Sequence, residues 1–257
     1  MGMKSFRLRR MEQYVLEKEN VSMEELCREF DISMNTARLD VAQLVNKGTI
    51  RKVYGGVCSN RQNSLVPFEE RKTKNNESKR AICRAAAELV EDGDIIYIDS
   101  GTTAMYLVDF LENRKNITIL THNLNAIMRA LPMPDLQIIC LPGTLERKTN
   151  SFVSADTGRV LERYNIQKAF LAAAGVTANG DVTNSSPLEF EVKRAALENS
   201  GHVYLLIDSS KFGKSSLLTY ASIADMEKVI ADEDADKLLV ELCAQNNVEL
   251  QLVRTEE

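Results

Sequence analysis

The chain has 257 residues, 44% hydrophobic and 27% charged, which is ordinary for a soluble globular protein with room for one large domain or two smaller ones. No run of about 18 apolar residues occurs, and no apolar core follows the basic start MGMKSFRLRR, which argues against a membrane span and a secretory signal. The net charge of -5 is uneven: residues 1–80 carry 16 Lys+Arg against 11 Asp+Glu, the rest 16 against 26, so a head of +5 precedes a body of -10 and only the head suits a polyanion.

In chain order, the spacing of Leu8, Met11 and Val15 predicts a helix from about Phe6 to Lys18. A second helix opens at Ser22-Met23-Glu24-Glu25, a capping box in which hydroxyl and carboxylate satisfy each other's free amides. Its apolar stripe is Met23, Leu26, Cys27 and Phe30. Asp31-Ile32 turns the chain, and Ser33 caps a third helix running to about Asn46, before Gly48. On that helix Ala37, Val41, Leu44 and Val45 face the core, and Asn35, Leu39, Ala42 and Asn46 lie opposite, with Thr36 and Arg38 on the flanks. Asn suits adenine, Arg suits guanine or a phosphate, and Leu suits a thymine methyl. Residues 49–54 read as a strand ended by Gly55-Gly56, a wing that sets Arg51, Lys52 and Tyr54 to grip phosphates. The head, residues 1–57, is therefore a winged helix-turn-helix with DNA-binding candidates Ser33, Asn35, Thr36, Arg38, Leu39, Arg51, Lys52 and Tyr54.

Residues 58–77 are polar and without period, a hinge in which Leu65–Phe68 is apolar enough to dock on a domain. From Ser78 a helix runs to Asp92, and then strands and helices alternate. The predicted strands are 95–98, 117–120, 136–140, 169–173, 203–207, 229–230 and 248–252. The predicted helices are 103–111, 124–131, 188–199 and 235–245. This order implies an α/β body, residues 78–257, built on a mostly parallel sheet with ligands at the carboxyl ends of its strands.

Those ends are polar. Asp99-Ser100-Gly101-Thr102-Thr103 leads into a helix and has the makings of a phosphate cradle: a close backbone approach at Gly, free helix amides and three hydroxyls. Thr121-His122-Asn123 and Pro142-Gly143-Thr144 follow the next two strands. Asp208-Ser209-Ser210-Lys211 offers a carboxylate to sugar hydroxyls and an ammonium to phosphate, while Glu189 and Lys193 share one helix face. The five cysteines (27, 58, 83, 140, 243) are odd in number and unpaired in spacing, and read as reduced thiols of a cytosolic protein with no metal-ligand pattern.

Thr36-Ala37-Arg38-Leu39-Asp40, the later Gly48 and Arg51-Lys52-Val53-Tyr54-Gly55-Gly56-Val57 resemble the DeoR family of bacterial repressors, whose usual run is Thr-Ile-Arg-Arg-Asp-Leu with Arg-x-His-Gly-Gly after it. Leu39 replaces the second Arg and Tyr54 the His. In the body, Ile98–Thr103, Lys168-Ala169-Phe170, Gly175-Val176, Glu191–Arg194 and Asp208–Gly213 resemble that family's sensor domain, with His122 where Asn is usual and Pro142 where a first Gly is usual. The resemblance implies a fold similar to ribose-5-phosphate isomerase and a response to phosphorylated sugars. It implies a cytoplasmic repressor of a carbohydrate or polyol operon that binds operator DNA as a dimer or tetramer. The effector candidates are Asp99, Ser100, Gly101, Thr102, Thr103, Thr121, His122, Asn123, Gly143, Glu189, Lys193, Asp208 and Lys211, with no cofactor, metal or catalytic residue.

The alternative is an isomerase carrying an interaction module. Such an enzyme needs carboxylates to move protons between adjacent carbons. Related isomerases have Asp-Gly-Ala-Asp where this chain has Ala174-Gly175-Val176-Thr177, leaving Asp181 and Glu189 as the nearby acids.

Overall fold

The computed structural model describes residues 3–18, 20–46, 50–53, 55–59, 68–235 and 237–255. The chain forms two compact units, Met1–Ser64 and Leu65–Glu257.

In the first unit, α1 (Met3–Lys18), α2 (Met23–Phe30) and α3 (Met34–Asn46) accompany a three-stranded antiparallel sheet. Its strands are β1 (Asn20–Ser22), β2 (Ile50–Val53) and β3 (Gly56–Ser59), in the order β1-β3-β2. The strand β1 was not legible, because three residues carry no alternation. The core joins Met11 and Val15 of α1, Leu26 of α2, Val41 and Leu44 of α3, and Val21, Ile50 and Val57 of the sheet. Asp31 adopts left-handed backbone (φ 48°) to turn α2 into the loop before α3. The capping box is only half made. Ser22 Oγ accepts from Glu25 N at 3.0 Å, but the Glu25 carboxylate bonds Tyr14 and Lys18 of α1 instead. A cation and a phenol stabilise a carboxylate better than the single amide it would otherwise cap.

The second unit begins with α4 (Phe68–Thr73) and α5 (Asn76–Ala87), which occupy part of the expected hinge. Then come β4 (Ile95–Ile98), β5 (Ile117–Thr121), α6 (Leu124–Ala130), β6 (Leu136–Cys140), β7 (Thr144–Glu146), β8 (Ser151–Val153), α7 (Thr157–Leu161) and β9 (Ile166–Leu171). After them come β10 (Gly175–Val176), β11 (Asp181–Asn184), α8 (Pro187–Glu198), β12 (Ser200–Ile207), β13 (Leu218–Ser222), β14 (Lys228–Asp232), α9 (Lys237–Gln245) and β15 (Glu249–Val253). Seven strands form a sheet ordered β15-β14-β12-β9-β4-β5-β6, and every pairing in it is parallel. Two smaller antiparallel sheets, β10-β11-β13 and β7-β8, went unforeseen because their strands are too short to show an alternation.

Both faces of the central strands of the large sheet are buried. Ile96, Ile98, Phe170 and Leu206 pack with α5 and α6, and Tyr97, Ala169, Leu171 and Leu205 pack with α8 and α9. Alternate side chains of one strand therefore enter different cores, as parallel sheets covered on both sides require. The α-helix expected over 103–111 is instead a 3₁₀ helix, Ala104–Phe110, in which Ala104 through Val108 are all buried. No solvent face exists there to set a 3.6-residue period. Chain order moves outward from β4 through β5 to β6 on one side and from β9 through β12 and β14 to β15 on the other. The reversal between β4 and β9 opens a crevice at their carboxyl ends.

Candidate DNA-reading and effector sites

On α3, Ser33 Oγ accepts from Thr36 N at 3.2 Å and lies 2.9 Å from its hydroxyl, so the helix start is fixed. Asn35 and Arg38 are exposed, as is Leu39 at 60%, and Thr36 is half-buried between them. The structure thus turns the expected reading residues outward on one surface of the first unit. Lys52 of β2 is exposed as well. The Arg51 side chain and all of Tyr54 lie outside the described residues. One contact was missed: Asp40, 1% exposed on the opposite side of α3, accepts from Arg7 Nε at 2.7 Å. This half-buried pair ties the first helix to the reading helix, and only the acidic residue amid apolar neighbours hinted at it.

In the second unit the β4–β9 crevice is closed by a polar knot. Asp99 is fully buried. Its Oδ1 accepts from Ser100 N at 2.8 Å; its Oδ2 accepts from Ala172 N at 2.8 Å and from Lys193 Nζ. Lys193 also donates to Ala172 O at 2.7 Å and rests 5.2 Å from the Tyr220 ring centroid, which occupies its remaining side. Burial opposes ionisation of Asp99, but the charge of Lys193 and these bonds hold its carboxyl below the usual range. Thr121 Oγ1 donates to Ile98 O at 2.6 Å and accepts from Asn123 N. Asn123 donates to the carbonyls of Asp99 and Gly101 and caps α6 through its Oδ1. Four of the expected effector residues, Asp99, Thr121, Asn123 and Lys193, therefore have their polar atoms engaged in joining strand ends.

The others differ. His122 is fully buried, with Nδ1 3.2 Å from Tyr97 Oη and Nε2 without a partner among the described residues. Burial holds the imidazole below its ordinary pKa against the pull of Asp99 and Glu189, so it is neutral at pH 7. Whichever nitrogen carries the proton, Nε2 is left unused. Glu189, buried at the start of α8, accepts from Ser151 Oγ at 2.9 Å. Asp208 Oδ1 accepts from Asn75 Nδ2 at 2.9 Å and from Ser210, while its buried Oδ2 has no partner among the described residues. Burial works against the charge of Asp208, yet Lys211, Ser210, Asn75 and Lys79 hold it ionised. Lys211 lies beside it with its pKa lowered by burial.

Ser100 Oγ bonds Asp99, and Thr102 and Thr103 are buried. A Cβ on Gly101 would collide with Ala172, so the turn and the end of β9 touch. The cradle differs from expectation: the turn enters a 3₁₀ helix of seven residues, and the amides of Met105 and Tyr106 already bond back to the carbonyls of Gly101 and Thr103. The aligned amides of a long α-helix do not contribute. Gly143 abuts the backbone of Val153, where a Cβ would stand 2.5 Å from its nitrogen. Asp181 is tied by Thr177 Oγ1 at 2.9 Å in the β10–β11 hairpin. Cys58, Cys83 and Cys243 are buried and Cys27 is half-buried, but Cys140, at the end of edge strand β6, is exposed. Among the described residues no cluster of three metal-ligating side chains occurs, and no helix is long and apolar enough to cross a membrane.

Sequence reading also missed Arg71, Lys74, Asn75 and Lys79, which lie in or beside the polar hinge. Lys79 is 1% exposed and donates to the carbonyls of Arg71 and Lys74, the latter at 2.6 Å. Charged residues in a period-free stretch read as solvated, and nothing local marked them otherwise.

The head thus has the geometry of a winged helix-turn-helix and the body that of a parallel α/β domain with a polar strand-end site. Residues 7–63 match the DeoR-like helix-turn-helix domain and residues 74–233 the DeoR C terminal sensor domain. The chain is 41% identical to the HTH-type transcriptional regulator IolR of Bacillus subtilis (strain 168) over 97% of its own length and 100% of that protein. It is 29% identical to the glycerol-3-phosphate regulon repressor of Escherichia coli (strain K12), covering 90% of this chain and 92% of that one. This protein belongs to the DeoR family of transcriptional regulators. Among solved structures, ribose 5-phosphate isomerase A of Methanocaldococcus jannaschii aligns over 54% of this chain and 55% of that one, with 19% identity and a TM-score of 0.41, a likeness too slight to bear on activity.

Proposed function

We propose that this protein represses a carbohydrate or polyol catabolic operon and is released from its operator when a phosphorylated sugar occupies the strand-end site. Asn35, Thr36, Arg38 and Leu39 read base edges, with Ser33 and the wing residues Arg51, Lys52 and Tyr54 on the backbone. His122, Glu189, Asp208 and Lys211 contact the effector, held in place by the Asp99–Lys193 knot. The head acts as a pair or larger set, because one such module buries too little surface for genomic specificity.

The observation that carries this reading is a strand-end site with unused buried polar atoms but no pair of acids free to shuttle a proton. Residues 174–177 hold no carboxylate, and Asp181 is spent in its hairpin. That favours a binding site over the isomerase alternative.

The test is operator binding by fluorescence anisotropy over a salt series, with a panel of pentose, hexose and polyol phosphates added. Affinity that falls with log salt and drops further with one phosphorylated sugar supports the proposal. Turnover of a sugar phosphate abolished by Glu189→Gln would replace it with the isomerase.

A further inference from the structure

The helix α6 turns its small side chains inward and its large ones outward. Ala126 and Ala130 are buried in the core, whereas Met128 is 58% exposed and Leu131, just past the helix, is 69% exposed. Apart from Leu39, these are the two most exposed large apolar side chains among the described residues. Leu124 and Ile127 are half-buried and complete an apolar stripe, since 124, 127, 128 and 131 share one face of a helix. Beside α6 runs β6, which ends the large sheet and among the described strands pairs only with β5. On it Ile138 and Ile139 are half-buried, and Gln137 and Cys140 are exposed.

An edge strand presents a row of backbone donors and acceptors, and proteins shield such edges with charge, Pro or a cover. The opposite edge, β15, carries Glu249, paired with Lys228 at 2.8 Å, and Arg254 follows it. By contrast β6 reads Leu-Gln-Ile-Ile-Cys, without a charge. Between 124 and 140 the charged residues are Arg129 and Asp135, and Arg129 Nη1 donates to both oxygens of Asp109 at 2.6 Å. A strongly charged partner therefore finds no surplus of opposite charge here, whereas a second copy meets no field that repels it. A two-fold axis also makes two β6 strands antiparallel, so the same open edge and the same apolar stripe serve both sides of the contact. Residues 124–140 come close to the about 20 residues a side that a standard interface uses.

We propose that two copies of this chain join through α6 and β6, with β6 pairing antiparallel to its own copy. Centred on Ile138, the pairing sets Leu136 opposite the partner's Cys140. The two α6 helices then run antiparallel, with Leu124 towards the partner's Leu131 and Ile127 towards the partner's Met128. The contact supplies the pairing that a two-fold operator calls for. It holds whether or not the strand-end site binds a sugar phosphate.

The test is sedimentation velocity of the full-length protein over a dilution series, with circular dichroism to check the fold. Met128→Glu and Leu131→Glu should each raise the dissociation constant of the pair about a hundredfold or more, because each contact gains two unpaired carboxylates away from water. Both side chains are exposed in the single copy, so the variants keep the fold. A second measurement leaves the face unaltered in sequence. Cys140 is the exposed cysteine, and Cys58, Cys83 and Cys243 are buried, so a nitroxide in a Cys27→Ser background goes to Cys140. Four residues along the strand and one strand spacing across place the two labelled Cα atoms about 14 Å apart. The continuous-wave EPR spectrum should be broadened, and excess unlabelled protein should remove the broadening. A label that itself splits the pair supports the same face. Wild type that sediments as a single copy, a Leu131→Glu variant as associated as wild type, or an unbroadened spectrum from the associated protein each overturns the inference. Failure of the wild type to bind an operator would refute the repressor reading and leave this contact standing.

Discussion

Replacing Lys193 by Met should destabilise the second unit by about 3–4 kcal/mol at pH 7 and by much less at pH 5. Asp99 is fully buried and Lys193 is its ion-pair partner, while Met keeps most of the aliphatic stem in place. Removing one member of a buried pair costs about 3–5 kcal/mol, because a charge is left uncompensated. The cost has a ceiling, since Asp99 can take up a proton instead. Protonating a carboxylate of ordinary pKa, about 3.9, costs about 4 kcal/mol at pH 7 and about 1.5 kcal/mol at pH 5.

The sign follows from the shift. In the wild type the carboxyl of Asp99 is held low, and its stabilisation is present above about pH 4 and lost as pH falls through its folded value. In the variant burial dominates and the folded pKa rises above the unfolded one, so the folded state binds the extra proton and the penalty shrinks as pH falls. Urea unfolding followed by far-UV circular dichroism at the two pH values measures this, read on the second unit's transition. Adding Asp99→Asn should restore most of the loss, because the unpaired charge is gone. A penalty below about 1 kcal/mol at pH 7, or one equal at both pH values, refutes the placement of Asp99 and Lys193 as a structural pair.

Arg38→Ala should weaken operator binding by about 1–3 kcal/mol, and equal weakening on unrelated DNA would assign the residue to phosphate contact instead of base reading. Leu39→Arg should change the ranking of operator variants, and an unchanged ranking would mean that position 39 does not face the groove. Sulfate, whose charge is constant near neutrality, should bind the body less tightly as pH rises through about 8, where Lys79 loses its proton. The bound anion favours the ammonium, so binding takes up protons there. Calorimetry showing flat affinity from about pH 7 to about pH 9 would count against Lys79 beside the anion. Gly101→Ala should abolish effector-induced release while leaving operator affinity intact, because its Cβ would displace the end of β9; an unchanged response would place the effector elsewhere.

Much of this architecture was legible because local and tertiary preferences agree. Ser22 and Ser33 cap the helices they were expected to cap, and the apolar runs at 95–98, 117–120 and 136–140 became neighbouring strands. What stayed hidden was long-range. The bond between Asp99 and Ala172 joins residues 73 apart, and that between Asn75 and Asp208 joins residues 133 apart. No spacing rule encodes such a meeting. The 3₁₀ helix escaped because full burial erased its period, and Lys79 escaped because a buried lysine and a solvated one look alike in sequence.

The hidden contacts change what the visible motif means. The Asp-Ser-Gly-Thr-Thr turn reads as a ligand cradle, yet its carboxylate is bound on both oxygens and its helix is too tight to aim a row of amides. An acid locked to a lysine in this way cannot exchange protons with a substrate, but it can hold β4 and β9 in register at the point where the sheet order reverses. Two buried polar atoms without a partner among the described residues, His122 Nε2 after β5 and Asp208 Oδ2 after β12, lie on strands that flank that fixed point. A rigid knot between two open acceptor or donor positions suits recognition more than turnover.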